Sequence, residues 1–222
     1  MNFTVVAATG GVGGQLVTQA RVAGQVVTAV ARRAGALAGE GVRTVQVDLA
    51  GSDLAPLVES VRGADAVLSA LGRRARADQG IAALGTRNLI WAMRQAGARR
   101  LVVVSAAPVS TTPSPSRPHP PRHDPGEDWL QRHALTPLAR RLLAAVYADL
   151  AEMEDAVRAS GLHWTIVRPP KLTGGPLTGR YRTAEDRNVP GGLSISRADL
   201  AQLMLRAAAD AATVGKALGV GY

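Results

Sequence analysis

One stretch near the start of the chain, Thr4 to Gly14 (Thr-Val-Val-Ala-Ala-Thr-Gly-Gly-Val-Gly-Gly), constrains the fold more than any other. Val5, Val6, Ala7 and Ala8 form a continuous apolar run, the pattern of a parallel strand covered on both faces. Val12, Leu16, Ala20 and Ala23 then recur at helical spacing, so the period switches from strand to helix at the glycines. A glycine turn in that place lets backbone N–H groups and the positive end of a helix dipole approach a phosphate, because no Cβ atoms stand in the way. The spacing Ala7-x-x-Gly10-x-x-Gly13 is the Gly-x-x-Gly-x-x-Gly variant of the dinucleotide fingerprint, with alanine in the first position.

The chain has 222 residues, enough for one α/β domain that buries about 70 to 75% of its unfolded surface. It has no cysteine, which excludes disulfides and thiolate zinc sites, and no apolar run approaches the ~20 residues of a membrane span. No signal-peptide pattern precedes the first strand, so a cytoplasmic protein with no membrane contact is expected. The formal charge is +9, carried almost wholly by arginine, since the only lysines are Lys171 and Lys216. Arginine favours bidentate contacts to phosphate. The arginines are scattered, and no basic helix or helix-turn-helix pattern occurs, so nucleic acid is not expected, and an anionic cofactor or substrate explains the charge, as does an arginine- and alanine-rich genome composition. Oligomeric state leaves no mark in the sequence.

Gln25 to Ala31 reads as a second strand, ending in Arg32-Arg33 about twenty residues beyond the glycines, with no acidic residue before Glu40. Asp or Glu at that place would bind ribose hydroxyls, whereas arginine suits a 2′-phosphate; the bland alternative is a solvated arginine pair. Arg43 to Val47 is a third strand, followed by Asp48-Leu49 and a short helix from Ser52 or Asp53 to about Ser60. Asp65 to Leu71 is a fourth strand ending at Gly72, and Arg73, Arg74 and Arg76 follow in a loop suited to phosphate. A helix over about Gln79 to Ala96, with Leu84, Asn88, Leu89, Ala92, Met93 and Ala96 on one face, leads to a fifth strand, Arg100 to Val104, and to Ser105 at its end. Alternation of this kind predicts a doubly wound parallel sheet with helices on both faces and ligands beyond the carboxyl ends of the strands.

Ala106 to Thr136 interrupts the rhythm: eight of the thirteen prolines lie between Pro108 and Pro137, with His119, His123 and His133. The prolines argue against regular structure and for a mobile cover over the substrate side, and the histidine spacing matches no metal motif. A long helix is expected from Leu138 to Ser160, with Leu138, Leu142, Val146, Leu150, Met153 and Val157 facing the core, then a sixth strand over His163 to Val167. The residues from Arg168 onward read as a rigid loop and a hairpin pairing Gly179 to Thr183 with Leu193 to Ser196, so that 169–196 caps the crevice. Ser196 and Asp199 have the spacing of a capping box opening the last helix, and Lys216 to Tyr222 reads as a final strand.

The glycine turn, Arg32, Asp48-Leu49, Ser69-Ala70-Leu71-Gly72, Ser105-Ala106 and Ser160-Gly161-Leu162-x-x-x-x-Val167-Arg168-Pro169-Pro170 together resemble the atypical short-chain dehydrogenase/reductases over nearly the whole chain. Within them the chain is similar to the NmrA-like group, and Pro169-Pro170 with Pro176-Leu177-Thr178-Gly179-x-Tyr181 resembles the biliverdin-IXβ/flavin reductase branch. The resemblance implies a Rossmann fold with Gly10, Val12 and Gly13 at the pyrophosphate and Arg32 at the 2′-phosphate of NADP(H); Gly11 in the same turn, Arg33 beside Arg32 and Arg74 in the loop after the fourth strand are further cofactor-binding candidates. It also implies Asp48 and Leu49 at the adenine, Leu71 and Gly72 along the adenosine, and Ser105, Pro169, Pro170 and Lys171 beside the nicotinamide. The Tyr-x-x-x-Lys pair of many short-chain dehydrogenases is absent, since Tyr147 and Tyr181 are followed four residues later by Ala151 and Glu185, and Leu150 stands where relatives carry Lys or His. Ser105 has no carboxylate or histidine to pair with in the sequence and reads equally as a strand-end hydrogen-bonder. Lys171 is the other catalytic candidate, as acid, phosphate anchor or solvated loop residue. The expected function is NADPH-dependent hydride transfer to a conjugated acceptor such as a flavin or quinone; an NADP-binding sensor without turnover is the alternative, and a sugar-nucleotide epimerase or dehydratase a more distant third.

Overall fold

The computed structural model describes residues 1–33, 42–72, 78–129 and 131–222. Its first strand, β1 (Asn2–Val6), is buried from Phe3 onward and lies inside the sheet, as its apolar run requires. It pairs in parallel with β2 (Val26–Ala31) on one side and with β4 (Ala66–Ser69) on the other. Beyond β2 lies β3 (Val42–Gln46), and beyond β4 come β5 (Arg100–Val104), β6 (His163–Arg168), β10 (Lys216–Gly221) and the antiparallel edge strand β8 (Arg182–Glu185). The order is β3-β2-β1-β4-β5-β6-β10-β8, so the winding reverses between β1 and β4, and a crevice opens at their carboxyl ends. A separate parallel pair joins β7 (Lys171–Thr173) to β9 (Ser194–Ser196).

Alternating side chains along the strands supply two cores. Val5, Ala29, Leu68 and Val102 face α1 (Gly11–Val22) and α6 (Arg197–Ala209), where Leu16, Leu200 and Met204 meet them. Val6, Val30, Val67 and Val103 face the opposite layer, made by α2 (Ala55–Val61), α3 (Ile81–Ala96) and α5 (Ala144–Arg158), with Leu57, Leu89, Met93 and Met153. Arg100 ties β5 to the end of α6, donating to the carbonyls of Ala207 and Ala208 where the helix dipole favours a cation.

Several expectations give way. The helix expected from Leu138 to Ser160 is two: α4 (Thr136–Leu142) and α5, separated at Leu143, whose φ of −119° and ψ of 25° leave the helix. Leu138 and Leu142 are exposed, because α4 turns aside from the core and only α5 lays its apolar stripe on the sheet. The proline-rich stretch also holds regular structure, a 3-10 turn at Ala107–Thr111 and a π-helical turn at Gln131–Leu135. Its Val109, Thr111, Asp124 and Glu127 are buried, so much of it is packed wall.

The hairpin expected between Gly179 to Thr183 and Leu193 to Ser196 does not form, since β8 pairs with β10 and β9 with β7. Glycines in β10 explain the preference: a Cβ on Gly219 would sit 2.1 Å from the Arg187 carbonyl oxygen and one on Gly221 2.8 Å from Gly192 Cα, so residues 187–192 pass directly against that strand. In α3, Leu84 is exposed and Gly85 is buried; at the end of α1, Ala23 is exposed as the C-cap.

Candidate active site

The chain leaves β1 through Ala7, whose φ of +59° lies in the left-handed region that favours glycine and costs an L-residue roughly 1 to 2 kcal/mol. The turn closes with the Gly10 N–H donating to the Ala7 carbonyl at 2.8 Å. Gly13 sits behind it: a Cβ there would lie 2.3 Å from that same carbonyl oxygen, so this glycine serves the close approach of α1 to β1. Gly10 is the N-cap of α1, and among the described residues no side chain caps the helix, which leaves its positive end facing the crevice.

The crevice is a cleft of about 310 Å³ lined by Gly10, Gly11, Val12, Arg32, Arg33, Asp48, Leu49, Leu71 and Gly72, which brings together nine residues expected at the cofactor. Leu49 and Leu71 form an apolar slot set from below by α3, where Gly85 has no room for a Cβ: it would stand 2.7 Å from Leu71 Cδ2 and 3.2 Å from Leu49 Cβ. The Asn88 side-chain amide donates to the Leu49 carbonyl at 2.8 Å and holds that segment in place. Arg32 is tied to Asp78 at 2.9 Å, so an acidic residue does reach the end of β2, from a part of the chain that sequence reasoning did not connect with it. Arg74 lies outside the described residues.

A second cavity of about 560 Å³ is lined by Pro169, Pro170 and Lys171 together with Ala106, Pro108, Ala139, Leu143 and Tyr147. Lys171 lines this cavity while the next residue, Leu172, lines the cleft, so β7 is a wall common to both. Polar groups are few. Glu127 accepts hydrogen bonds from Thr136 Oγ1 at 2.5 Å and from the Asp124 N–H at 3.3 Å, and the buried Asn188 Oδ1 has no hydrogen-bond partner among the described residues. Burial raises the Tyr147 phenol above its ordinary pKa, which keeps it protonated as a donor.

Ser105 lines neither space, and it does have a carboxylate partner. Its hydroxyl donates to Glu154 Oε1 at 2.7 Å, and Arg168 holds the same buried carboxylate through contacts of 2.9 and 2.5 Å. Burial alone would lower the Arg168 pKa; the hydrogen bonds and charge of Glu154 outweigh it and raise it. The Ser105 N–H donates to the Val167 carbonyl at 2.7 Å and the Ala107 N–H to that of Pro169 at 2.9 Å. Ser105 is thus a positioning residue that locks β5 to β6 and fixes the Pro169-Pro170 wall, and Lys171 alone of the two catalytic candidates reaches a cavity.

Tyr147, Glu127, Asn188, Asp78 and Arg197 are site-lining residues that sequence reasoning missed. A polar residue inside an apolar helical stripe was a readable sign for Tyr147; the others depend on chain crossings that spacing does not encode. Among the described residues no group of three or more His, Asp or Glu is arranged to hold a metal, and no helix is long and apolar enough to cross a membrane. His123 and His133 lie 6.2 Å apart, with exposed Trp129 at 5.4 Å from His133.

An uncapped helix start, an apolar slot and arginines in one cleft fit a nicotinamide dinucleotide. Residues 7–211 match the family described as NAD(P)H-binding. The oxidoreductase ylbE of Lactococcus lactis is similar in structure with a TM-score of 0.78 and 18% identity, over 100% of this chain and 90% of that one. SP1627 of Streptococcus pneumoniae TIGR4, a candidate NADH-flavin reductase, gives 0.73 and 22% over 100% and 99%. ChuY of Escherichia coli O157:H7, an anaerobillin reductase, gives 0.73 and 21% over 99% and 97%.

Proposed function

This chain belongs to the NAD(P)H-binding family, and from that premise we propose that it is an NADPH-dependent oxidoreductase that passes hydride to a conjugated ring such as a flavin or quinone. The observation that carries this is the shared wall: Lys171 faces the second cavity and Leu172 the cleft, so a ring in the one lies next to a dinucleotide in the other. A sensor needs only the cleft. The reductase names of SP1627 and ChuY support the same reading. NADPH rather than NADH is favoured by Arg32 and Arg33, which outweigh Asp78 in the cleft.

When bound, the dihydronicotinamide supplies the hydride. Gly11 and Val12, whose N–H groups open α1, would present them to the pyrophosphate, the Gly10 N–H being used by the Ala7 carbonyl, and Leu49 and Leu71 would enclose the adenine. Pro169 and Pro170 form a rigid apolar face, held by the Ser105–Glu154–Arg168 clamp, that orients the acceptor and keeps water from the transfer. Tyr147 and Lys171 border the acceptor cavity as proton donors, and Leu150 leaves no lysine beside the tyrosine to tune it. Acceptors that take hydride without a precisely aimed acid are therefore preferred. In a panel of FMN, menadione and cyclohexanone, NADPH oxidation is expected with the first two and not the third. Tight NADPH binding with no oxidation by any acceptor would contradict the proposal, as would brisk ketone reduction.

A further inference from the structure

Arg197 is the first residue of α6, and its side chain lies over the glycine turn although the two are far apart in the chain. A Cβ built on Gly11 would stand 2.7 Å from Arg197 Cδ, 2.8 Å from Nε and 3.8 Å from Cζ, so the guanidinium occupies the space that a side chain at position 11 would fill. Gly11 is itself the first residue of α1, and both residues line the same cleft. The starts of two helices of 12 and 13 residues, with their positive dipole ends, therefore meet at one place, and a cation has been added there. A cation in the first turn of a helix opposes the dipole. Among the described residues no hydrogen bond or ion pair compensates Arg197. The start of α6 is itself capped by Ser196 and carries Asp199 in its first turn, so the uncapped start of α1 and the Arg197 guanidinium are the positive groups at this opening, and together they call for an anion between them.

The start of α6 is held firmly. Ser196 Oγ accepts from the Asp199 N–H at 2.9 Å and donates to the Pro176 carbonyl at 2.9 Å, and the Gln19 side chain on α1 donates to the Ala198 carbonyl at 2.8 Å. The Asp199 carboxylate, which could have neutralised Arg197, is spent on the N–H groups of Thr178 and Gly179, both at 2.8 Å, and on the hydroxyls of Thr178 and Tyr222. Arg197 is thus presented to the cleft by rigid elements.

We propose that Arg197 is a pyrophosphate-binding residue that closes over the diphosphate from the α6 side while the α1 backbone holds it from the other. The proposal rests on the reading of the cleft as a dinucleotide site. It makes Gly11 a spacer for the arginine as well as a phosphate cradle.

Calorimetric titration of NADH and NADPH into the unmodified protein, Arg197→Ala, Arg197→Lys, Gly11→Ala and the double variant tests it. Loss of a charge-assisted, bidentate contact should weaken both dinucleotides by a similar factor of roughly 10 to 100, with Arg197→Lys between the two extremes. Gly11→Ala should weaken binding by displacing the arginine, and should do little once Arg197 is already alanine. Unchanged affinity in Arg197→Ala overturns the proposal, and so does a loss confined to NADPH, which would put the arginine on the 2′-phosphate. If the unmodified protein bound neither dinucleotide, the dinucleotide reading itself would be at fault. Unfolding midpoints of the unliganded variants, expected close to that of the unmodified protein for Arg197→Ala, separate ligand binding from a structural role.

Discussion

Arg32 and Asp199 show how little a residue's identity means before its partners are known. Arg32 carries the expected cation at the end of β2, but Asp78 holds it at 2.9 Å from 46 residues away. Its guanidinium is half exposed, and on the proposed reading it would meet a 2′-phosphate. Arg32→Ala should cost NADPH roughly 10- to 100-fold in affinity, equivalent to about 1.5 to 3 kcal/mol, and leave NADH nearly unchanged. Paired titrations check this, and equal losses for the two dinucleotides would oppose it. For Asp199, burial alone would raise the carboxyl pKa; hydrogen bonds from Tyr222, Thr178 and the backbone of Thr178 and Gly179 prevail and hold it below its usual range. A lowered folded-state pKa means that stability is fully present above about pH 4 and is lost as pH falls through the folded value. Asp199→Asn should therefore cost roughly 2 kcal/mol at pH 7, with the gap closing below about pH 4. Urea unfolding of both proteins from pH 7 to pH 3 measures it, and a gap independent of pH would count against the account. The Ser196 cap on the Asp199 N–H was legible from their spacing. The reciprocal half of the box is not made, since the Ser196 N–H donates to the Tyr222 hydroxyl and the Asp199 carboxylate accepts instead from four donors on Thr178, Gly179 and Tyr222, segments whose approach no local pattern records.

Elements were legible where one period ran without interruption. The central strands and the helices α1, α3 and α6 follow from apolar runs and helical spacing, within a few residues at their ends. Pairing in the C-terminal part was not, because β8 and β9 sit at hairpin distance in sequence and yet find other partners once Gly219 and Gly221 let residues 187–192 cross β10. Periodicity also carried Leu138 and Leu142 into α5's stripe, since spacing alone does not register a turn of direction at Leu143. Gly85 in α3 gives an element-level prediction. Alanine there would favour the helix by about 1 kcal/mol but overpack against Leu71 and Leu49 by roughly 1 to 3 kcal/mol. Gly85→Ala should lower the urea midpoint or, if the leucines yield instead, weaken NADH and NADPH alike; unchanged stability together with unchanged binding would show that the slot is looser than its contacts indicate.

At the scale of the whole molecule, the reversal of winding between β1 and β4 puts the cleft where it is, and this was legible from the strand–helix alternation. The second cavity was not, because its walls come from Ala106, Ala139, Tyr147 and Pro169 on four separated segments. Three arginines, Arg32, Arg33 and Arg197, line the cleft beside Asp48 and Asp78. The central claim is a division of labour, with the dinucleotide in the cleft and the acceptor in the cavity beyond β7. Ala139 lines only the cavity, so Ala139→Phe should fill acceptor space without touching the cleft. Stopped-flow NADPH oxidation by menadione or FMN, measured beside NADPH affinity, tests this most directly: the account predicts acceptor reduction slowed at least about 10-fold with NADPH affinity unchanged within about twofold, and oxidation at the unmodified rate, or parallel loss of both, would contradict it.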